Sequence, residues 1–367
     1  MTRTRTGPPS PLGLVLSGGG ARGAYQVGAL RAAVEKLGPS PFAVISGSSI
    51  GAIHGAVVAE GIESGDLPGV LAAAEQTWLE LQGTIRLDWK GLLSALGRLA
   101  IFGPKPAVWQ SVRSLLDHAR AVERLLRFLP RDRRLGDYRR VELLVTAADL
   151  NAGRPVVFDR STPDVRVLDA VLASSAFPVA FPSHRVGEHW YVDGGVFDNA
   201  PLSPLMRRGV GDVLVIATSP LCGPGRPGVQ PGDFDDIFSV IRRLWPLMLD
   251  QVLYDDLRHA RRINEVVSII EESPDPSSLV VRRLKKAIGY EDAGRRKRVV
   301  GLVEVCPQQE LDPPGTFGFG DRQAVAGIMA RGYEDAARAL ARAYREPAWL
   351  SSPAPTAGHV SSSRRHT

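Results

Sequence analysis

Cysteine is almost missing from this chain: its 367 residues hold two, Cys222 and Cys306. Neither stands in a Cys-x-x-Cys pair, which argues against a disulfide framework or a thiolate zinc site and is compatible with a reduced compartment. Lysine is scarce too, with Lys36, Lys90, Lys105, Lys285, Lys286 and Lys297 against 45 cationic residues in all. The positive charge is therefore mostly arginine, which favours planar anions such as phosphate and carboxylate. A solvated arginine surface and an anionic partner both fit that bias. There is no dense Lys/Arg run interleaved with aromatics, so no nucleic-acid partner is expected. Uninterrupted apolar runs are also lacking. Leu37 to Ala59 carries no Asp, Glu, Lys or Arg, but Pro39, Pro41, four glycines and four serines break it; a lipid-facing helix does not tolerate that pattern, and a buried strand followed by a buried helix explains it. Arg3 and Arg5 precede an apolar run, Pro11 to Leu16, too brief for the core of a signal peptide. The expectation is a cytoplasmic protein without signal peptide or transmembrane helix, touching membranes peripherally if at all.

Hydrophobic residues make up 44% and charged residues 23%, ordinary values for a globular protein. The length suits one large domain or two ordinary ones. Glycine (38) and proline (28) are abundant without a collagen-like period, so the question becomes where the glycines cluster.

Short apolar runs alternate with helical patterns, the signature of a largely parallel sheet covered by helices. Leu12 to Leu16, Phe42 to Ile45, Val141 to Val145, Val156 to Phe158, Asp212 to Ala217 and Val299 to Val305 read as strands, and His184 to Val192 as a hairpin turning at Gly187-Glu188. Ala24 to Leu37, Ile50 to Glu60, Asp66 to Leu81, Val165 to Ala173 and Arg322 to Tyr344 read as helices, as does Ile237 to Ile263 with a break at Pro246. Residues 1–10 and 351–367 read as flexible tails, and 220–232 as a Gly/Pro-rich loop. From 84 to 135 the pattern loosens, with Trp89 and Trp109 beside Gly-Pro breaks, which suits a lid or variable insert.

Three glycine turns carry the chemistry. The first, Gly18-Gly19-Gly20-Ala21-Arg22-Gly23, lies between a strand and a helix, where glycine permits close backbone approach and a helix start offers free N–H groups to an anion. It also spells G-x-G-x-x-G. A dinucleotide site, however, needs an acidic residue ending the next strand, and that strand ends Ile45-Ser46-Gly47-Ser48-Ser49. The second turn, Gly47-Ser48-Ser49-Ile50-Gly51, is a G-x-S-x-G sequence between strand and helix, the context that lifts a serine hydroxyl above a sheet. Ser49 is the candidate nucleophile, and the alternative is a serine helix cap. The third, Asp193-Gly194-Gly195, puts a carboxylate on a strand-end turn, as candidate base or simple Asp-Gly turn. Histidine is the commoner base, but no motif surrounds His54, His118, His184, His189, His259, His359 or His366.

These turns, in this order, resemble the patatin-like phospholipases. Ala148-Asp149-Leu150-Asn151-Ala152-Gly153, Ala173-Ser174-Ser175-Ala176-Phe177-Pro178 and Val192 through Asn199-Ala200-Pro201 extend the likeness, which covers about residues 12–220. The resemblance implies a three-layer α/β/α fold with a mostly parallel sheet and a Ser-Asp dyad without histidine. Ser49 would be nucleophile and Asp193 base, with the Gly18–Gly23 loop as oxyanion hole and Arg22 beside it. It implies a lipid or phospholipid substrate, and no metal or cofactor. His54 stands where relatives commonly carry small or amide residues. The expected organisation is a catalytic domain over 11–220 and a helical continuation over 221–350 packing on it. The rival readings are a Ser-His-Asp esterase using His184, His189 or His259, a nucleotide-binding protein using Gly18 to Gly23, and a noncatalytic lipid-binding protein. Trp89, Trp109, Trp245, Arg242 and Arg243 are candidates for membrane contact.

Overall fold

The computed structural model describes residues 12–81, 86–87, 116–117, 119–178, 180–221, 237–292, 295–296, 299–311 and 321–344. Both tails, most of the 84–135 insert with Trp89, Trp109 and His118, the loop after residue 221, and His359 and His366 lie outside them. The side chains of Arg242, Arg243 and Trp245 do too.

β1 (Leu12–Leu16) is followed by a short 3-10 turn over Gly20–Gly23, α1 (Ala24–Leu37), β2 (Phe42–Ser48), α2 (Ile50–Ser64) and α3 (Leu67–Leu79). Next come α4 (Ala119–Leu125), β3 (Glu142–Asp149), β4 (Arg154–Phe158), α5 (Val167–Ser174), β5 (His184–Val186), β6 (His189–Asp193), α6 (Leu202–Met206) and β7 (Asp212–Ile216). The chain continues through α7 (Ile237–Glu272), α8 (Leu279–Ile288), β8 (Gly301–Val305) and α9 (Arg322–Ala343). The eight strands form one sheet in the order β8-β7-β1-β2-β3-β6-β5, with β4 also on β3. The five strands from β8 to β3 run parallel, and β4, β5 and β6 pair antiparallel. β1, β7 and most of β2 are buried on both faces, as a sheet with helices on each side requires.

One register decides where the chemistry falls. β3 pairs with β2 along Glu142–Thr146, with Ser48 opposite Thr146. It pairs with β6 along Ala147–Asp149, with Asp193 opposite Ala147. Because β4 occupies one edge of β3 over Val145–Asp149, β2 and β6 share the other edge, end to end. Their carboxyl ends meet at adjacent β3 residues.

The bounds of β1, α1, β7 and α9 agree with the pattern to within a residue. Pro246 does not break its helix, which runs from Ile237 to Glu272; a proline removes one N–H, and the turns before and after it continue the ladder. α4 and α8 have no counterpart in the reading of the sequence; both are short helices in arginine-rich stretches.

α9 packs on α1 at backbone distance. A Cβ on Gly28 would stand 1.9 Å from the Met329 carbonyl oxygen, and one on Gly332 2.0 Å from that of Tyr25. Tyr25 Oη also donates to Asp335 at 2.8 Å. Gly28→Ala, which helix propensity alone would make stabilising, is therefore expected to destabilise the fold by about 2 kcal/mol through overpacking. A urea midpoint shifted downward is the expected reading.

Candidate active site

Ser49 sits between β2 and α2 with φ 56° and ψ −126°, and is the one non-glycine residue with positive φ among the described residues. Such a conformation is strained and needs support. The Ser174 hydroxyl at the end of α5 accepts from the Ser49 N–H at 3.0 Å and donates to the Thr146 carbonyl at 2.6 Å, pinning the turn to β3. The flanking glycines let the turn close, since a Cβ on Gly47 would meet the Gly51 carbonyl at 2.3 Å. α2 begins directly behind Ser49, so its positive dipole end faces the hydroxyl.

Asp193 ends β6, buried at 2% exposure. Its Oδ1 accepts from the Gly195 N–H at 2.8 Å. Burial pushes its carboxyl up to about 6, against the opposing pull of the neighbouring Ser49 side chain and the Gly195 amide. Oδ2 has no hydrogen-bond partner among the described residues. Buried unpaired oxygens normally cost stability. Here those of Ser48, Asp193, Asp198 and Asn199 lie around the two turns.

The glycine loop runs beside them: a Cβ on Gly18 would stand 3.2 Å from Ser49 Cβ. Its amides are not equivalent. Gly18 N–H donates to the Asn199 carbonyl at 3.1 Å and Arg22 N–H to that of Gly19 at 3.2 Å. The amides of Gly19, Gly20 and Ala21, at the open start of the 3-10 turn, meet no backbone acceptor among the described residues. Arg22 does not reach outward as a side-chain anion ligand. It is buried, donating to Ser219 Oγ at 2.7 Å with Asp250 Oδ1 3.6 Å away, and Ser219 in turn donates to Asp250.

Three of the described histidines are engaged elsewhere. Trp78 Nε1 donates to His54 Nε2 at 2.9 Å, so His54 carries its proton on Nδ1 and donates to Gln26 Oε1 at 2.8 Å. Gln26 Nε2 then donates to the Ser17 carbonyl at 2.7 Å. Burial pushes His54 down to about 3, leaving a neutral spacer that holds the root of the glycine loop. His184 pairs with Asp169 at 3.2 Å and His189 with Asp149 at 2.7 Å, and His259 lies exposed on α7.

α7 supplies what the sequence did not reveal. Besides Asp250, its Leu249 carbonyl accepts from Asn199 Nδ2 at 3.1 Å. Its Asp256 takes a long contact of 3.5 Å from the Ala200 N–H. Asp256 is raised by burial and by the facing Asp198 carboxylate, and Asp198 is itself raised by burial. An amphipathic pattern signals a helix but not which of its polar residues turn inward. Leu247, Met248 and Val252 of α7, with Gly195 and Val196, line a cavity of about 400 Å³ beside the Asp193 turn. Among the described residues no three of His, Cys, Asp and Glu could hold a metal ion, and no helix is long and apolar enough to cross a membrane.

The structure thus brings together a serine at positive φ on a strand-to-helix turn, a buried carboxylate and a loop of open amides on a mostly parallel sheet. The family model described as patatin-like phospholipase matches residues 14–206, just over half the chain, and the chain belongs to that family. An uncharacterized NTE family protein of Mycobacterium bovis is 30% identical over 214 residues, 58% of this chain and 50% of that protein. A second, from Mycobacterium tuberculosis, is 27% identical over 303 residues, 77% of this chain and 45% of that protein. The chain thus spans about half the length of these relatives. Among solved structures, human GIVD cytosolic phospholipase A2 is 14% identical with a TM-score of 0.45, over 92% of this chain and 60% of that one. VipD from Legionella pneumophila is 16% identical with a TM-score of 0.40, over 91% and 67%.

The Asp198–Asp256 pair gives a signed pH dependence. Carboxyls raised in the folded state bind more protons there than in the unfolded chain, so stability falls as pH rises through their folded values. Thermal midpoints are expected to fall from about pH 5 to about pH 9, and Asp256→Asn to flatten the upper part of that fall. A fall of equal size in the variant would be the contrary result.

Proposed function

We propose that this protein is a lipid acyl hydrolase working through a Ser49–Asp193 dyad. The observation that carries the reading is the Ser49 turn at positive φ with the Asp193 carboxyl beside it and His54, His184 and His189 bonded elsewhere.

Asp193 accepts the Ser49 proton as Oγ attacks the ester carbonyl carbon, and the Gly19, Gly20 and Ala21 amides receive the oxyanion of the tetrahedral intermediate. As the intermediate collapses, Asp193 returns the proton to the departing alcohol, leaving an acyl-serine. Water then gives its proton to Asp193 and attacks the acyl carbon; collapse returns the proton to Ser49 and frees the fatty acid. The positive end of α2 stabilises the developing serine alkoxide. The apolar cavity against Gly195 receives the acyl chain, each buried methylene contributing about 0.8 kcal/mol.

Arg22 acts as a positioning residue. Its contacts to Ser219 and Asp250 keep the glycine loop in the conformation that aims its free amides, and leave α7 holding one wall of the site.

Ser49→Ala and Asp193→Asn are each expected to lower p-nitrophenyl ester hydrolysis by about a thousandfold or more while the protein stays folded. Full activity in folded Ser49→Ala would refute the dyad. A fluorophosphonate should label Ser49. The acid limb of kcat/KM should lie near pH 6, because Asp193 must be deprotonated to act; a limb near pH 4, where an ordinary carboxylate titrates, would contradict that assignment. Asp250→Asn should lower kcat about tenfold or more with little change in KM, since loosened amides bind the transition state less well than the substrate; a rise in KM alone would count against the positioning role.

A further inference from the structure

α8 stands apart from both main cores. Its Val281, with Tyr290, packs on Val267 and Ile270 of α7 in a small cluster of their own. The helix is well defined: the Ser278 hydroxyl caps its start by accepting from Val281 N–H at 3.2 Å, and Gly289 closes its end at φ 58°.

With Val281 facing α7, residues three and four apart on the opposite side share one outer face. That face carries Leu279, Arg282, Arg283 and Lys286, with Val280 at its flank. All are exposed, Leu279 by 58% and Val280 by 67%. Several arginines elsewhere in the fold are paired, among them Arg22 with Asp250, Arg31 with Glu75, Arg133 with Glu60, Arg208 with Glu142 and Arg261 with Glu304. Arg282, Arg283 and Lys286 meet no carboxylate among the described residues. Three adjacent unpaired cations repel one another, and two large apolar side chains are left in water beside them. Both features are relieved by the same kind of surface, one that is anionic outside and apolar beneath.

We infer that the outer face of α8 is a docking surface for an anionic lipid bilayer, with Arg282, Arg283 and Lys286 at the headgroups and Leu279 and Val280 entering the interface. A nucleic acid would satisfy the charges but not Leu279 and Val280. The choice of a bilayer also draws on the lipid substrate proposed above; the surface itself does not depend on it. At 1.5 Å per residue, Val267 lies about 25 Å along α7 from Asp250, so this face tethers the protein to a membrane without taking part in the chemistry.

The test is vesicle flotation of the full chain on phosphatidylcholine with and without phosphatidylserine, at low and high salt. The intact protein should float with the anionic vesicles, less so at high salt. Arg282→Glu/Arg283→Glu/Lys286→Glu should bind them about a hundredfold more weakly or worse. Leu279→Ser/Val280→Ser should weaken binding several-fold at either salt concentration. Both variants should hydrolyse a soluble p-nitrophenyl ester as the parent does. Equal vesicle binding by parent and triple variant, no flotation of the parent, or preference for a DNA duplex over vesicles would each overturn the inference. Vesicle binding by a protein that hydrolyses no ester would leave this surface standing and remove the catalytic reading instead.

Discussion

One edge of β3 carries two strands end to end, and the rest of the site depends on that sharing. β2 arrives parallel and stops at Ser48; β6 arrives antiparallel and stops at Asp193, one β3 residue further on. No loop has to reach across the sheet to bring Ser49 and Asp193 together. The arrangement has a cost that residue choice absorbs: two strand ends on one edge leave no room for side chains at the turns. A Cβ on Gly194 would meet the Thr146 carbonyl at 2.2 Å. Glycine at these turns is thus a packing requirement first, and conformational freedom matters most at Gly20, with φ 57°.

The scaffold that aims the site is built from both halves of the chain. The turns lie inside the region the family model covers, but Arg22 and Asn199 are fixed by Asp250 and Leu249 on α7, well beyond residue 206. The His54–Gln26 link holds the same loop from the other side. Between them, two buried polar tethers grip the glycine loop, one through its arginine and one through its root at Ser17. Low-dielectric surroundings make such tethers strong when satisfied, and both hold the loop's open amides in place.

Much of this was legible in the sequence, for identifiable reasons. β1, α1 and β7 are buried elements whose apolar runs end abruptly at Gly or Ser/Thr, so their bounds show. Ser49 and Asp193 were legible because each sits in a glycine turn at a strand end, where few residue types fit. The roles of Arg22, His54 and α7 were not. A loop arginine looks the same whether it faces solvent or an internal serine, and His54 is silenced by Trp78 and Gln26, neither adjacent in sequence. Asp250 and Asp256 read as ordinary polar positions of a long amphipathic helix. Pro246 reads as a break because sequence cannot tell a tolerated proline from a breaking one. The charges of α8 hide its apolar face, and three of them, Arg282, Arg283 and Lys286, lie exposed on the outer side.

The backbone-close seam between α1 and α9 bears on when the protein can work at all. α1 grows directly out of the glycine loop, yet the Tyr25–Asp335 bond that helps brace it joins residues 310 apart. β8, which completes the sheet beside β7, is also made late. On a ribosome, every residue of the three turns would emerge long before the helix that steadies the first of them. A nascent chain would therefore carry the three turns without their final support until synthesis passes α9.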